Sequence, residues 1–205
     1  MNFLAHLYLA GPDPAAPAYA DLVVGNFIAD AVAGRQRLAA YPPAVREGIR
    51  RHRAIDTFTD AHPVVRQTTA RLRQAGYGKY AGVIADMFFD HFLARRFASF
   101  SAEPLADFAQ RLYALLLRRQ AEFPARVQHF LPYMVQHNWL LGYVEIEGIG
   151  RALSGLSRRA SPGSGMETAT QELRRNYAAY EADFRAFFPQ LQAYVNEQLT
   201  IDNEQ

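Results

Sequence analysis

Val83-Ile84-Ala85-Asp86-Met87-Phe88-Phe89-Asp90-His91-Phe92-Leu93-Ala94-Arg95-Arg96-Phe97 settles the fold class of this chain. At 3.6 residues per turn, one face collects Val83, Asp86, Met87, Asp90, Leu93, Ala94 and Phe97, with Ile84, Phe88, Phe89 and Phe92 on the flanks. A helix that is apolar nearly all round belongs at the centre of a helical bundle. Two carboxylates one turn apart in that stripe are out of place. Desolvating like charges side by side is costly, and a lone pair responds by protonating one member. A bound cation would remove the penalty, and His91 beside them offers a nitrogen. The plain alternative is a partly exposed acid pair met by Arg95 and Arg96, although both arginines project later along the helix.

Outward from this segment the same period dominates, and two-residue alternation is scarce. Helices are predicted at about 2–10, 20–33, 43–58, 63–75, 79–99, 103–120, 125–154 with a break, and 168–200. Gly11-Pro12-Asp13-Pro14, Pro42-Pro43 and Gly76-Tyr77-Gly78 punctuate them, and Ser101-Ala102-Glu103-Pro104 reads as a helix start. Gly155–Gly165 is the Gly/Ser/Pro-rich stretch and reads as a flexible loop before a long C-terminal helix. The expectation is an all-α helical bundle forming one domain over 1–205.

The 205 residues include no cysteine, which excludes disulfides, thiolate metal sites and a cysteine nucleophile. The formal net charge of +2 is too small to announce nucleic-acid binding. Lys79 is the only lysine, so positive charge is carried by arginine, whose planar fork suits phosphate and carboxylate. No apolar run reaches membrane-spanning length. The apolar opening MNFLAHLYLA lacks the basic residues of a signal peptide, since the first arginine is Arg35. A cytoplasmic protein is expected.

Two further clusters repeat the pattern. His52, Asp56 and Asp60 are spaced by four in RHRAIDTFTDAHP, so His52 and Asp56 can converge on one cation. On spacing alone an ordinary hydrogen-bonded surface pair is the stronger reading of His52 and Asp56, and Asp60 either joins the same stripe or caps the helix that starts near Pro63. In GNFIAD, Asn26 and Asp30 are one turn apart among apolar neighbours. A mixed oxygen and imidazole set suits Mn²⁺, Fe²⁺ or Mg²⁺. His6 either joins this centre or is a core histidine. Tyr133, Trp139 and Tyr143 either wall a cavity or fill the core. Arg46, Arg50, Arg51 and Arg53 surround His52, Arg95 and Arg96 follow His91, and Arg151, Arg158 and Arg159 flank the Gly/Ser loop. They form a solvated face or meet an anionic partner.

Taken together and in order, MNFLAHLYLA, GNFIAD, HRAIDTFTD and DMFFDHFLARRF resemble the acyl carrier protein phosphodiesterase family, itself distantly similar to HD-domain phosphohydrolases. The resemblance runs from Met1 to about Arg159 and more loosely through the C-terminal helix. It implies an HD-like helical bundle and a divalent metal, Mn²⁺ first. The reaction implied is hydrolysis of the phosphodiester joining 4′-phosphopantetheine to the serine of holo acyl carrier protein. Family ligands carry over onto His52, Asp56, Asp86, Asp90 and His91, with Asp30 as a further member. Asp90 or Asp56 would take a proton from water, and His91, His52 or His6 would donate one to the leaving serine. Arg53 and Arg95, with Asn26 and Asp60, would lie against the substrate. The HD order of histidine then aspartate is inverted at Asp90-His91. Two rivals are an HD-like phosphohydrolase of nucleotides or other small phosphodiesters, and a non-enzymatic helical binding module.

Overall fold

A computed structural model describes residues 1–11, 13–161 and 163–203. Pro12, Pro162, Glu204 and Gln205, which fall in the predicted first turn, the Gly/Ser loop and the chain end, lie outside the described residues. The helices are α1 (Phe3–Tyr8), α2 (Tyr19–Ile28), α3 (Arg35–Ala39), α4 (Pro43–Ala61), α5 (Pro63–Leu72), α6 (Ala81–Arg95), α7 (Leu105–Arg118), α8 (Ala125–Gln136), α9 (Trp139–Gly142), α10 (Ile146–Ser157), α11 (Ala169–Arg175) and α12 (Tyr177–Asn203). No strand occurs among the described residues, and the all-α expectation holds. No helix among them is long and apolar enough to cross a membrane.

The predicted segment 125–154 breaks at Asn138, which takes a left-handed φ of 44°, and again before Ile146. The C-terminal segment breaks at Asn176, so the long helix starts at Tyr177. The start of the Gly/Ser stretch is helical, since α10 continues to Ser157. Asp60 does not cap α5. His62 holds that position, and its Nδ1 accepts a hydrogen bond from the Val64 N–H at 3.3 Å.

Helix α6 is central, as its all-round apolar pattern requires. Phe88 meets Tyr180 edge-on, Phe89 packs against Phe184 and Phe187, and Phe92 against Tyr177 and Phe184, all on α12. These three phenylalanines are fully buried, each stabilising the fold by about 1.5–3 kcal/mol.

Helices α2 and α4 cross most tightly. A Cβ on Gly25 would lie 2.9 Å from both the Gly48 Cα and the Ile49 N, and one on Gly48 would lie 2.9 Å from the Gly25 Cα. Real Cβ atoms do not come so close, so two glycines are required where the backbones touch. The crossing sets Asn26, one residue after Gly25, beside His52, one turn after Gly48.

Candidate metal centre

Helices α1 and α4 and the single turn Ala29–Ala31 that follows α2 bring His6, Asp30, His52 and Asp56 together. His52 is buried on the inner face of α4, and its Nδ1 lies 2.9 Å from the backbone oxygen of Asn26. That carbonyl can only accept, so Nδ1 carries the proton and Nε2 points to the centre. Nε2 is 3.2 Å from Asp56 Oδ2 and 3.2 Å from Asp30 Oδ1. The other Asp56 oxygen lies 3.1 Å from His6 Nε2, and the two imidazoles stack with centroids 3.8 Å apart. Asp30 is the open side, with 83 % of its side chain exposed.

The electrostatics are polarised. Burial opposes a charge on His52, but the Asp30 and Asp56 carboxylates more than offset it and raise the imidazolium to about 9. Burial holds His6 neutral, with its pKa lowered to about 4, against the pull of Asp56. Burial works to raise Asp56, yet the two histidines override it and hold its carboxyl far below the usual carboxylate range.

Among the described residues, His6, His52 and Asp56 are the group of side chains whose donor atoms all lie within 4.8 Å of one another and could hold a metal ion. Each imidazole Nε2 lies 3.1–3.2 Å from an Asp56 oxygen, His6 from one and His52 from the other, so both rings and the carboxylate face one small space. His6 Nδ1 and both ends of the Asn26 carboxamide are buried without a hydrogen-bond partner among the described residues. Two imidazoles and carboxylate oxygen form a borderline-to-hard donor set without sulfur.

The central stripe of α6 is divided rather than gathered. Asp86 lies 2.8 Å from the Met1 amino group. Asp90 is fully buried and accepts from the backbone N–H groups of Leu4 at 2.7 Å, Asn2 at 3.2 Å and Ala5 at 3.3 Å. It thus caps α1, which has no cap of its own. Burial pushes the Asp90 carboxyl up to about 7 against those N–H groups and the amino group. His91, one residue on, points about 100° away around the helix. Its Nδ1 donates to the Tyr143 carbonyl at 2.8 Å and its Nε2 meets the Tyr177 hydroxyl at 3.0 Å. The expected grouping of Asp86, Asp90 and His91 as one ligand set is therefore not what the fold assembles. The salt-bridge alternative does not hold either, since Arg96 pairs with Glu181 at 2.6 Å.

The substrate candidates also scatter. Arg53 Nη2 donates to the Val32 carbonyl at 2.8 Å, pinning the turn after Asp30. Arg95 is exposed beside His91 and Tyr177, away from the His6–His52–Asp56 group. Asp60 lies near Asp56 and Asp86 at the rim, and burial followed by those carboxylates raises its carboxyl. Sequence reasoning had no signal for the Asn26 carbonyl or for the capping of α1 by Asp90, because both are backbone contacts across the chain.

A family model described as acyl carrier protein phosphodiesterase matches residues 1–191. The chain belongs to this family. A Yersinia pestis acyl carrier protein phosphodiesterase is 32 % identical over 191 residues, covering 92 % of this chain and 94 % of the relative. An Enterobacter relative of the same name is 33 % identical over 201 residues, covering 97 % and 100 %. One from Escherichia coli O157:H7 is 30 % identical over 197 residues, covering 96 % and 98 %. The family match extends past Arg159, through α11 and most of α12. No solved structure matches the chain, so the likeness to HD domains rests on sequence alone.

Proposed function

We propose that this protein hydrolyses the phosphodiester between 4′-phosphopantetheine and the serine of holo acyl carrier protein, releasing apo carrier and 4′-phosphopantetheine. Family membership supports the substrate. The observation that supports metal-dependent hydrolysis is the convergence of His6, His52 and Asp56 from separate helices.

His6 Nε2, His52 Nε2 and an Asp56 oxygen would hold a divalent cation, Mn²⁺ first, with Asp30 beside them at the open edge. Such a cation supplies Lewis acidity at a phosphoryl oxygen and makes water more acidic. The chain's own residues supply the rest. The Asn26 carbonyl fixes the His52 tautomer, so the ring presents a lone pair at Nε2 once it is deprotonated. Asp30, ionised and exposed, accepts a proton from the attacking water. The water oxygen forms a bond to phosphorus as the bond to the serine oxygen breaks, and that oxygen takes up a proton. Burial and the neighbouring Asp86 and Asp56 carboxylates raise the Asp60 carboxyl at the rim. Asp90 positions the centre by holding the first turn of the helix that bears His6.

The test is intact-protein mass spectrometry of holo acyl carrier protein incubated with this protein plus Mn²⁺, plus Mg²⁺, or plus EDTA. Loss of the phosphopantetheine mass in the metal tubes alone is expected. An unchanged carrier in every tube, with metal bound to the protein, would refute the assignment.

A further inference from the structure

One cleft of about 1130 Å³ lies outside the metal centre, between α1 and α6 on its inner side and α8, α9 and α10 on its outer side. Small-molecule sites occupy roughly 300–1000 Å³, so this one has room for a long ligand. Its inner end is formed by Asn2, Phe3 and Met87. Phe3 is three residues from His6 on α1, and Met87 follows Asp86, whose carboxylate meets Met1. The Met1–Phe3 segment borders both: Asn2 and Phe3 line the cleft, and the Met1 amino group is within electrostatic reach of Asp56. Another cavity, of about 460 Å³, is lined by Tyr8 and Leu9 at the far end of α1.

The walls are aromatic and mixed. The Phe3 ring packs against Phe27 and Phe130 at 5.6 Å each, and Phe130 is parallel to Trp139 at 6.3 Å. Asn138 takes its left-handed conformation between His137 and Trp139, which both face the cleft. Tyr133 stands 53 % exposed at the mouth, an unusual place for a large ring. A substrate cleaved at the centre carries its phosphorus there and must lay the remainder of its arm somewhere within reach.

We infer that this cleft is the subsite for the pantetheine arm, with Phe130, Tyr133 and Trp139 as its specificity-determining wall. The inference rests on the proposed carrier-protein reaction. The arm matches the lining in chemistry. Its gem-dimethyl and methylene groups suit aromatic walls, while its amides and hydroxyl need the polar groups supplied by Asn2, His129 and His137. Carrying no charge beyond the phosphate, it leaves the charged lining residues to solvent or to partners of their own: Arg151, Arg158 and Arg159 are exposed, Arg174 pairs with Glu147 at 2.5 Å and Glu167 accepts from the Ser157 hydroxyl.

Trp139 is the only tryptophan in the chain and reports directly on the wall. Pantetheine without its phosphate, titrated into the full-length protein with EDTA present, is expected to shift Trp139 fluorescence saturably. Gly155→Leu fills the cleft from α10, where a Cβ meets only the Arg158 guanidinium at 3.9 Å. It is expected to abolish that shift and to raise the KM for holo carrier roughly tenfold, with kcat and hydrolysis of bis(p-nitrophenyl) phosphate unchanged. Tyr133→Ala, at an exposed position where folding is not at stake, is expected to raise KM several-fold in the same selective way. Unaltered KM in both variants, or no fluorescence response, overturns the subsite while leaving the reaction standing. Turnover of the small diester without any turnover of holo carrier overturns the reaction itself, and the fluorescence titration then judges the cleft on its own.

Discussion

Metal binding by this protein should depend on pH through a single proton, carried by His52. In the metal-free protein Asp30 and Asp56 raise that imidazolium to about 9, whereas His6 is lowered to about 4. A ligating imidazole must be neutral, so the cation competes with the His52 proton and not with one on His6. At pH 7 about one molecule in a hundred has His52 neutral, so the apparent affinity is about a hundredfold below its limit at high pH. The sign follows from the raised value: affinity climbs about tenfold per pH unit from 6 to 8 and levels near 9. Calorimetric titration of the EDTA-stripped protein with Mn²⁺ in buffers of different ionisation enthalpy counts the protons released, and about one is expected at pH 7. Asp30→Asn removes the first of the contacts that favour the charged ring, so the number released at pH 7 should fall. Two ordinary histidines would behave differently, giving a steep dependence below pH 6 and a flat one above 7.5. A flat affinity between pH 7 and 8.5 would refute the coupling of His52 to Asp30 and Asp56.

Other substitutions separate the centre from its supports. His6→Ala and His52→Ala should abolish stoichiometric Mn²⁺ binding, measured on dialysed protein by elemental analysis, while His91→Gln should retain it because His91 faces Tyr143 and Tyr177. Asp90→Ala leaves three N–H groups of the α1 start without their acceptor and should cost about 1–3 kcal/mol in urea unfolding, whereas Asp90→Asn keeps an acceptor and should lose less. Gly25→Ala forces α2 away from α4 and should destabilise by about 1–3 kcal/mol, with weakened metal binding as the Asn26 carbonyl moves off His52. Equal Tm values for Gly25→Ala and the unaltered protein would show that the crossing is looser than its 2.9 Å approaches imply.

The sequence by itself determined the helical class, because the apolar period along 83–97 and its neighbours has a single solution, a bundle with α6 inside. It also determined the pairing of His52 with Asp56, since residues four apart on a helix face one way whatever surrounds them. His6 was visible only as one of two options, because six helical residues fix a face but not what the face meets. Only the tertiary structure decided which acids lie beside His52. Asp86 and Asp90 share a helix face with each other, yet the start of α1 lies against them and takes up both carboxylates, one through the amino group and one through backbone N–H groups. Asp30, with 83 % of its side chain exposed, was brought beside His52 by a glycine–glycine crossing of α2 and α4. Local spacing sets the direction in which a side chain leaves its own helix. The partner it finds there depends on contacts between residues far apart in the chain, such as Asn2 and Asp90, 88 positions apart, which no periodicity encodes.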